Sequence, residues 1–65
     1  MAMNVIARIN RKNSTFTGFV TEGFQTVMNL GLATKFTFSD IGKQVTKLNS
    51  CDKEYIYQVW TIEIY

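Results

Sequence analysis

The last twelve residues of the chain, EYIYQVWTIEIY, run from Glu54 to Tyr65 without a glycine or a proline. An extended strand sends alternate side chains to opposite faces. One parity holds Ile56, Gln58, Trp60, Ile62 and Ile64; the other holds Tyr55, Tyr57, Val59, Thr61, Glu63 and Tyr65. Both are largely apolar. In a chain of 65 residues this constrains the fold more than any other feature. Such a chain is one domain, residues 1–65, with a single small core near the lower size limit for folding unaided. A strand that is apolar on both sides must be covered twice or must leave one face for a partner. A bend or bulge that brings the two parities into the core through different halves is the third possibility.

The rest of the chain supplies the elements around this strand. MNVIARIN alternates as a strand, with Met3, Val5, Ala7 and Ile9 on one side and Asn4, Ile6, Arg8 and Asn10 on the other. RKNS carries turn chemistry at Asn13 and Ser14. TFTGFVTE returns as a second strand, with Phe16, Gly18 and Val20 on one face and Thr17, Phe19 and Thr21 on the other, so the two form a hairpin. Gly23 then allows a short third strand over Phe24 to Met28. Leu30, Ala33 and Phe36 form a turn that tucks under the sheet.

In KFTFSDIGKQVTKLN, Thr37 and Asp40 have the spacing of a capping box, with Phe36 and Ile41 as its hydrophobic staple. Ile41, Val45 and Leu48 follow at i, i+4, i+7, an apolar stripe from which Lys43 and Lys47 point away. Gly42 costs about 1 kcal/mol against alanine, so packing must hold this helix. Asn49 is its expected left-handed stop, and Cys51 falls in the loop beyond it.

The expected fold is therefore α+β: an antiparallel sheet of three to four strands with one main helix on one face, in the order β-β-(β)-α-β. The helix is expected to meet Val5, Phe16, Val20, Trp60, Ile62 and Ile64. Ile6, Phe19, Tyr55, Tyr57 and Val59 are expected on the uncovered face, with Arg8 at its margin.

Composition narrows the chemistry. Seven basic against five acidic residues give a net charge of +2, too weak to imply nucleic acid. There is no histidine and only one cysteine, Cys51, so neither a disulfide nor a thiol–imidazole pair can form within the chain and the usual zinc ligands are missing. Glu22, Asp40, Asp52, Glu54 and Glu63 are scattered, and Cys51 lies beside the carboxylate Asp52, a setting that does not favour a reactive thiolate. The glycines lack phosphate-loop spacing. No catalytic residue, metal or cofactor is expected. The free thiol and the lack of a signal sequence or membrane span place the chain by expectation in the cytoplasm.

The stretch GLATKFTFSDIGKQVTKLN followed by YIYQVWTIEI resembles small proteins of bacteriophages and mobile elements. In these a hairpin leads to an A-x-x-F turn (Ala33 to Phe36 here), a capped helix and a terminal strand. The resemblance covers about the last half of the chain, departs from the pattern at Gly42 and carries no catalytic motif. It implies binding and modulation of a host protein.

Two binding functions fit these residues. In the first, Arg8, Phe19, Tyr55, Tyr57 and Val59 meet a protein, either a host target or a second copy of the chain in a two-fold dimer. In the alternative, the same aromatics stack the bases of a single strand while Arg8, Arg11 and Lys12 contact phosphates.

Overall fold

A computed structural model of the chain describes residues 2–23 and 25–63. It contains a four-stranded antiparallel sheet and one main helix. The strands are β1 (Ala2–Asn10), β2 (Phe16–Val20), β3 (Thr26–Val27) and β4 (Tyr55–Glu63), in the spatial order β3-β2-β1-β4. A short 3₁₀ turn (Leu30–Leu32) precedes helix α1 (Phe38–Cys51). The α+β architecture and element order expected from the sequence are those observed. The third strand is shorter than expected, Thr26–Val27 only; Phe24 lies outside the described residues, as do Ile64 and Tyr65.

Local chemistry explains the boundaries. The first hairpin closes through Asn10, whose N–H bonds Thr15 O at 2.8 Å and whose carbonyl accepts from Ser14 N at 2.8 Å. Ser14 takes a positive φ of 58° there. Thr37 caps α1 as predicted: its hydroxyl accepts from Asp40 N–H at 3.3 Å and donates to Asp40 Oδ2 at 2.9 Å. Aspartate is one methylene shorter than the usual glutamate, and here it takes the cap's hydroxyl. The helix does not stop at Asn49. It continues to Cys51 and is capped by Asp52 at an ordinary φ of −115°, so Cys51 belongs to its last turn rather than to a loop.

The apolar residues form two clusters, one on each side of the sheet. Ile6, Val20 and Tyr57 pack with Ile41 of α1, joined by Phe36, Val45, Leu48 and Tyr55. Met3, Val5, Phe19 and Ala33 make the second cluster, joined by Phe16, Val27, Leu30, Trp60 and Ile62. The predicted helix stripe is thus correct, but the helix lies on the other side of the sheet. It covers Ile6, Tyr55 and Tyr57, not Val5, Phe16, Trp60 and Ile62. Since both parities of β4 are apolar, periodicity could not choose between them.

A second correction lies in β2. Arg8 pairs with Gly18 and Ile9 with Phe16, so one step along β1 spans two along β2. This bulge has Gly18 at φ 134°, a conformation side-chain-bearing residues rarely adopt. Phe16 and Phe19, expected on opposite faces, therefore share one, while Val20, expected beside Phe16, parts from it and meets the helix as expected. The A-x-x-F turn also divides: Leu30 and Ala33 join the helix-free cluster, whereas Phe36 joins the helix cluster.

Helix length limits what is covered. Fourteen residues span about 21 Å, while the nine-residue β4 runs about 30 Å. The helix packs over the first half of β4, where Tyr57 is buried. Farther along the same face Val59 is 43% exposed. This geometry explains the two apolar parities of the last strand: Tyr55 and Tyr57 serve the helix layer, and Trp60 and Ile62 serve the opposite cluster.

Candidate partner-binding surface

The sheet face without the helix is built around three aromatic rings. Phe16 stacks on Trp60 with centroids 5.2 Å apart and planes 18° from parallel. Phe19 meets both edge-on, at 5.0 Å from Phe16 and 5.9 Å from Trp60. The bulge at Gly18 brings Phe16 and Phe19 together, and the Val5–Trp60 register of the β1–β4 ladder sets the indole beside them. Phe19 is only 7% exposed and forms the floor. Phe16, Trp60, Ile62, Val27 and Leu30 are half-buried. No helix covers them; the segment carrying Val27, Leu30 and Ala33 covers part of the face. In that segment Met28 and Leu32 are each 67% exposed.

The residues that the sequence reading assigned to a binding face are dispersed. Tyr57 is 8% exposed beneath α1, and Tyr55 is half-buried beside it. Phe19 does lie on the helix-free side but is buried, so neither Phe19 nor Tyr57 offers a ring to a partner. Val59 is exposed on the helix side. Arg8 also lies there: its guanidinium carbon sits 4.1 Å from the Tyr55 ring centroid, and its Nε donates to Thr17 Oγ1 at 2.9 Å. Arg11 and Lys12 are exposed in the hairpin turn and, with Asn10, Lys53 and Glu54, line a shallow cleft at one end of the sheet.

Tyr57 is part of a structural polar cluster. The Tyr57 hydroxyl donates to Asp52 Oδ2 at 2.7 Å, and Glu54 N–H donates to Asp52 Oδ1 at 2.9 Å. These bonds, the hydroxyl's first, hold the Asp52 carboxyl below the ordinary carboxylate range. Burial, followed by the bond to Asp52, pushes the Tyr57 phenol up to about 12. Asn49 completes the arrangement. Its Nδ2 donates to Tyr57 O at 3.1 Å and its Oδ1 accepts from Tyr57 N–H at 2.8 Å. One side-chain amide thus bonds the outer edge of β4 as a neighbouring strand would.

Sequence reasoning read Phe16 and Trp60 as core rather than site residues and missed Asn49, though Phe16 and Asn49 each left a signal. Gly18 inside a strand pattern marks a bulge, and Ile41, Val45 and Asn49 at i, i+4, i+8 place Asn49 on the sheet side of the helix. A second cleft, of about 300 Å³, opens between the start of α1 and the segment before it and is lined by Val20, Glu22, Lys35, Asp40 and Gln44 among others. Gln44 Oε1 is buried there without a hydrogen-bond partner among the described residues. Among the described residues no group of three or more histidine, cysteine, aspartate and glutamate side chains could hold a metal ion. No helix in them is long and apolar enough to cross a membrane. Comparison with protein-family models, curated proteins and solved structures finds no match.

Proposed function

We propose that this chain is a small non-enzymatic binding protein whose helix-free sheet face docks on another protein. The observation that carries the reading is the stacked Phe16–Trp60 pair, half-buried on a face with no helix over it, in a cluster that also takes in Val27 and Leu30 of the segment that exposes Met28 and Leu32. Exposed apolar area of this kind is typical of interaction surfaces, and Trp, Phe and Met are enriched at interface centres. The resemblance of the second half to small phage and mobile-element proteins supports a role as modulator or inhibitor of a host protein.

The test compares capture of a host protein by the wild-type chain and by a Met28→Ser/Leu32→Ser variant. Both residues are exposed, so the fold should survive, and the variant should retain much less of any specific target. Equal retention by a folded variant would remove the basis of this proposal. Stacking of bases on Phe16 and Trp60, with phosphates on Arg11 and Lys12, predicts instead an affinity for a single-stranded oligonucleotide that falls steeply with salt.

A further inference from the structure

The outer edge of β4 carries a consequence separate from the sheet face. Asn4 O accepts from Phe36 N, and Asn10 bonds the hairpin turn through both N–H and C=O, so the even residues of β1 direct their backbone groups away from β4. In an antiparallel ladder such directions alternate. Met3, Val5, Ala7 and Ile9 therefore bond β4, through their partners Ile62, Trp60, Gln58 and Ile56. Tyr57, Val59, Thr61 and Glu63 must then point their N–H and C=O groups outward. The bonds from Asn49 to Tyr57 N and O show this directly.

Asn49 satisfies Tyr57 and nothing beyond it. At Val59, Thr61 and Glu63 the outward backbone groups have no partner from outside the sheet among the described residues. The stretch has no proline, lysine or bulge, and of the usual devices against edge pairing it carries only the charge of Glu63. Such a row accepts another strand.

We propose that this edge pairs with the same edge of a second copy of the chain, antiparallel about a two-fold axis at Thr61. Four features select a second copy and this register. With the axis at Thr61, Val59 faces Glu63 of the other copy and Thr61 faces its own counterpart, so residues with outward backbone groups meet each other and exchange about six hydrogen bonds. The Thr–Thr pair is a favourable cross-strand combination, and no like charges face each other. On the helix-free face Trp60 falls opposite Ile62 of the other copy, an aromatic–β-branched pair, twice over by symmetry. A shift of the axis to Trp60 would set Glu63 against Tyr57, whose backbone groups Asn49 already occupies. The clamp thus keeps pairing to the second half of the strand, which the helix leaves uncovered. The result is a continuous eight-stranded sheet with both helices on one side. This contact shares Trp60 with the proposed docking face, but it rests on the backbone edge of β4, and protection of the Thr61 amide distinguishes it from docking on that face.

The test uses sedimentation and amide hydrogen exchange from low micromolar to near-millimolar concentration. The mass should rise toward twice 7.5 kDa with concentration, and the Thr61 amide should exchange at least about tenfold more slowly as it does so. Thr61→Pro removes the outward N–H but leaves the β1 ladder intact, and should remain monomeric. Thr61→Val, which like proline loses the Thr61 hydroxyl bond to Asn4 Oδ1 (2.9 Å), should still dimerise. A wild-type monomer at every concentration would overturn the proposal, as would a dimer in which the Thr61 amide stays unprotected. The second result would move self-association to another surface. If Thr61→Pro does not fold, the wild-type exchange data decide.

Discussion

Replacing Asn49 by alanine tests whether one side chain ties the helix to the edge strand. The substitution removes two side-chain-to-backbone hydrogen bonds, at 2.8 and 3.1 Å to Tyr57. At about 0.5–1.5 kcal/mol each, their loss costs about 1–3 kcal/mol. The freed backbone groups lie at a sheet edge that water can reach, so the lower half of that range applies. Alanine is also the better helix former, which returns about 0.5 kcal/mol. The expected net loss is about 1 kcal/mol. In a domain of this size that lowers the thermal midpoint by roughly 4–8 °C. Urea unfolding followed by Trp60 fluorescence at one low protein concentration measures it, and holding concentration constant excludes any contribution from association. Ser50→Ala is the control: its hydroxyl bonds Lys47 O within the same exposed turn, and stability should barely move. If Asn49→Ala changes stability by less than about 0.3 kcal/mol, the Asn49–Tyr57 bonds do not hold the helix to β4 and the reasoning fails.

Tyr57→Phe should cost about 1 kcal/mol at neutral pH by removing the bond to Asp52. Because that bond holds the Asp52 carboxyl down, its contribution is present above the ordinary aspartate range and is lost as pH falls through the folded-state value. Acid titrations of wild type and variant should therefore converge. The Tyr57 phenol, raised to about 12, adds stability that is present below about 10 and is lost as pH rises toward 12; Tyr57→Phe should lack this alkaline step. Gly42→Ala should stabilise by up to about 1 kcal/mol, since a methyl there meets nothing within 4 Å and the helix gains propensity. Gly18→Ala should destabilise clearly, because φ is 134° and Val27 O lies 3.2 Å from the new carbon; equal thermal midpoints for the two variants would contradict the bulge. Ile6→Ala, at a position with no exposure, should cost about 2–5 kcal/mol in the same urea assay.

Much of this architecture was legible one element at a time. The Thr37 cap, the stripe of Ile41, Val45 and Leu48 and the alternation of β1 are local patterns, set by neighbours within one or two turns of chain. Such patterns persist because the hydrogen bonds and side-chain directions they encode form within the element itself. The binding face was less legible. Phe16 and Trp60 were expected on one face, but Phe19 joins them only through a bulge, which glycine permits but does not compel.

By itself the sequence determined the elements, their order and the two apolar stripes of the last strand. Tertiary structure alone decided which stripe lies beneath the helix. Both parities could be buried at comparable gain per unit of apolar area, so hydrophobicity was indifferent. The choice rests on directional contacts between residues in different elements: Asn49 on the Tyr57 backbone, Asp52 on the Tyr57 hydroxyl, and Ile41 against Ile6 and Val20. These contacts exist only once helix and sheet are together. They bury Tyr57 and leave Phe16 and Trp60 on the open side, because hydrogen bonds specify an orientation and apolar burial does not.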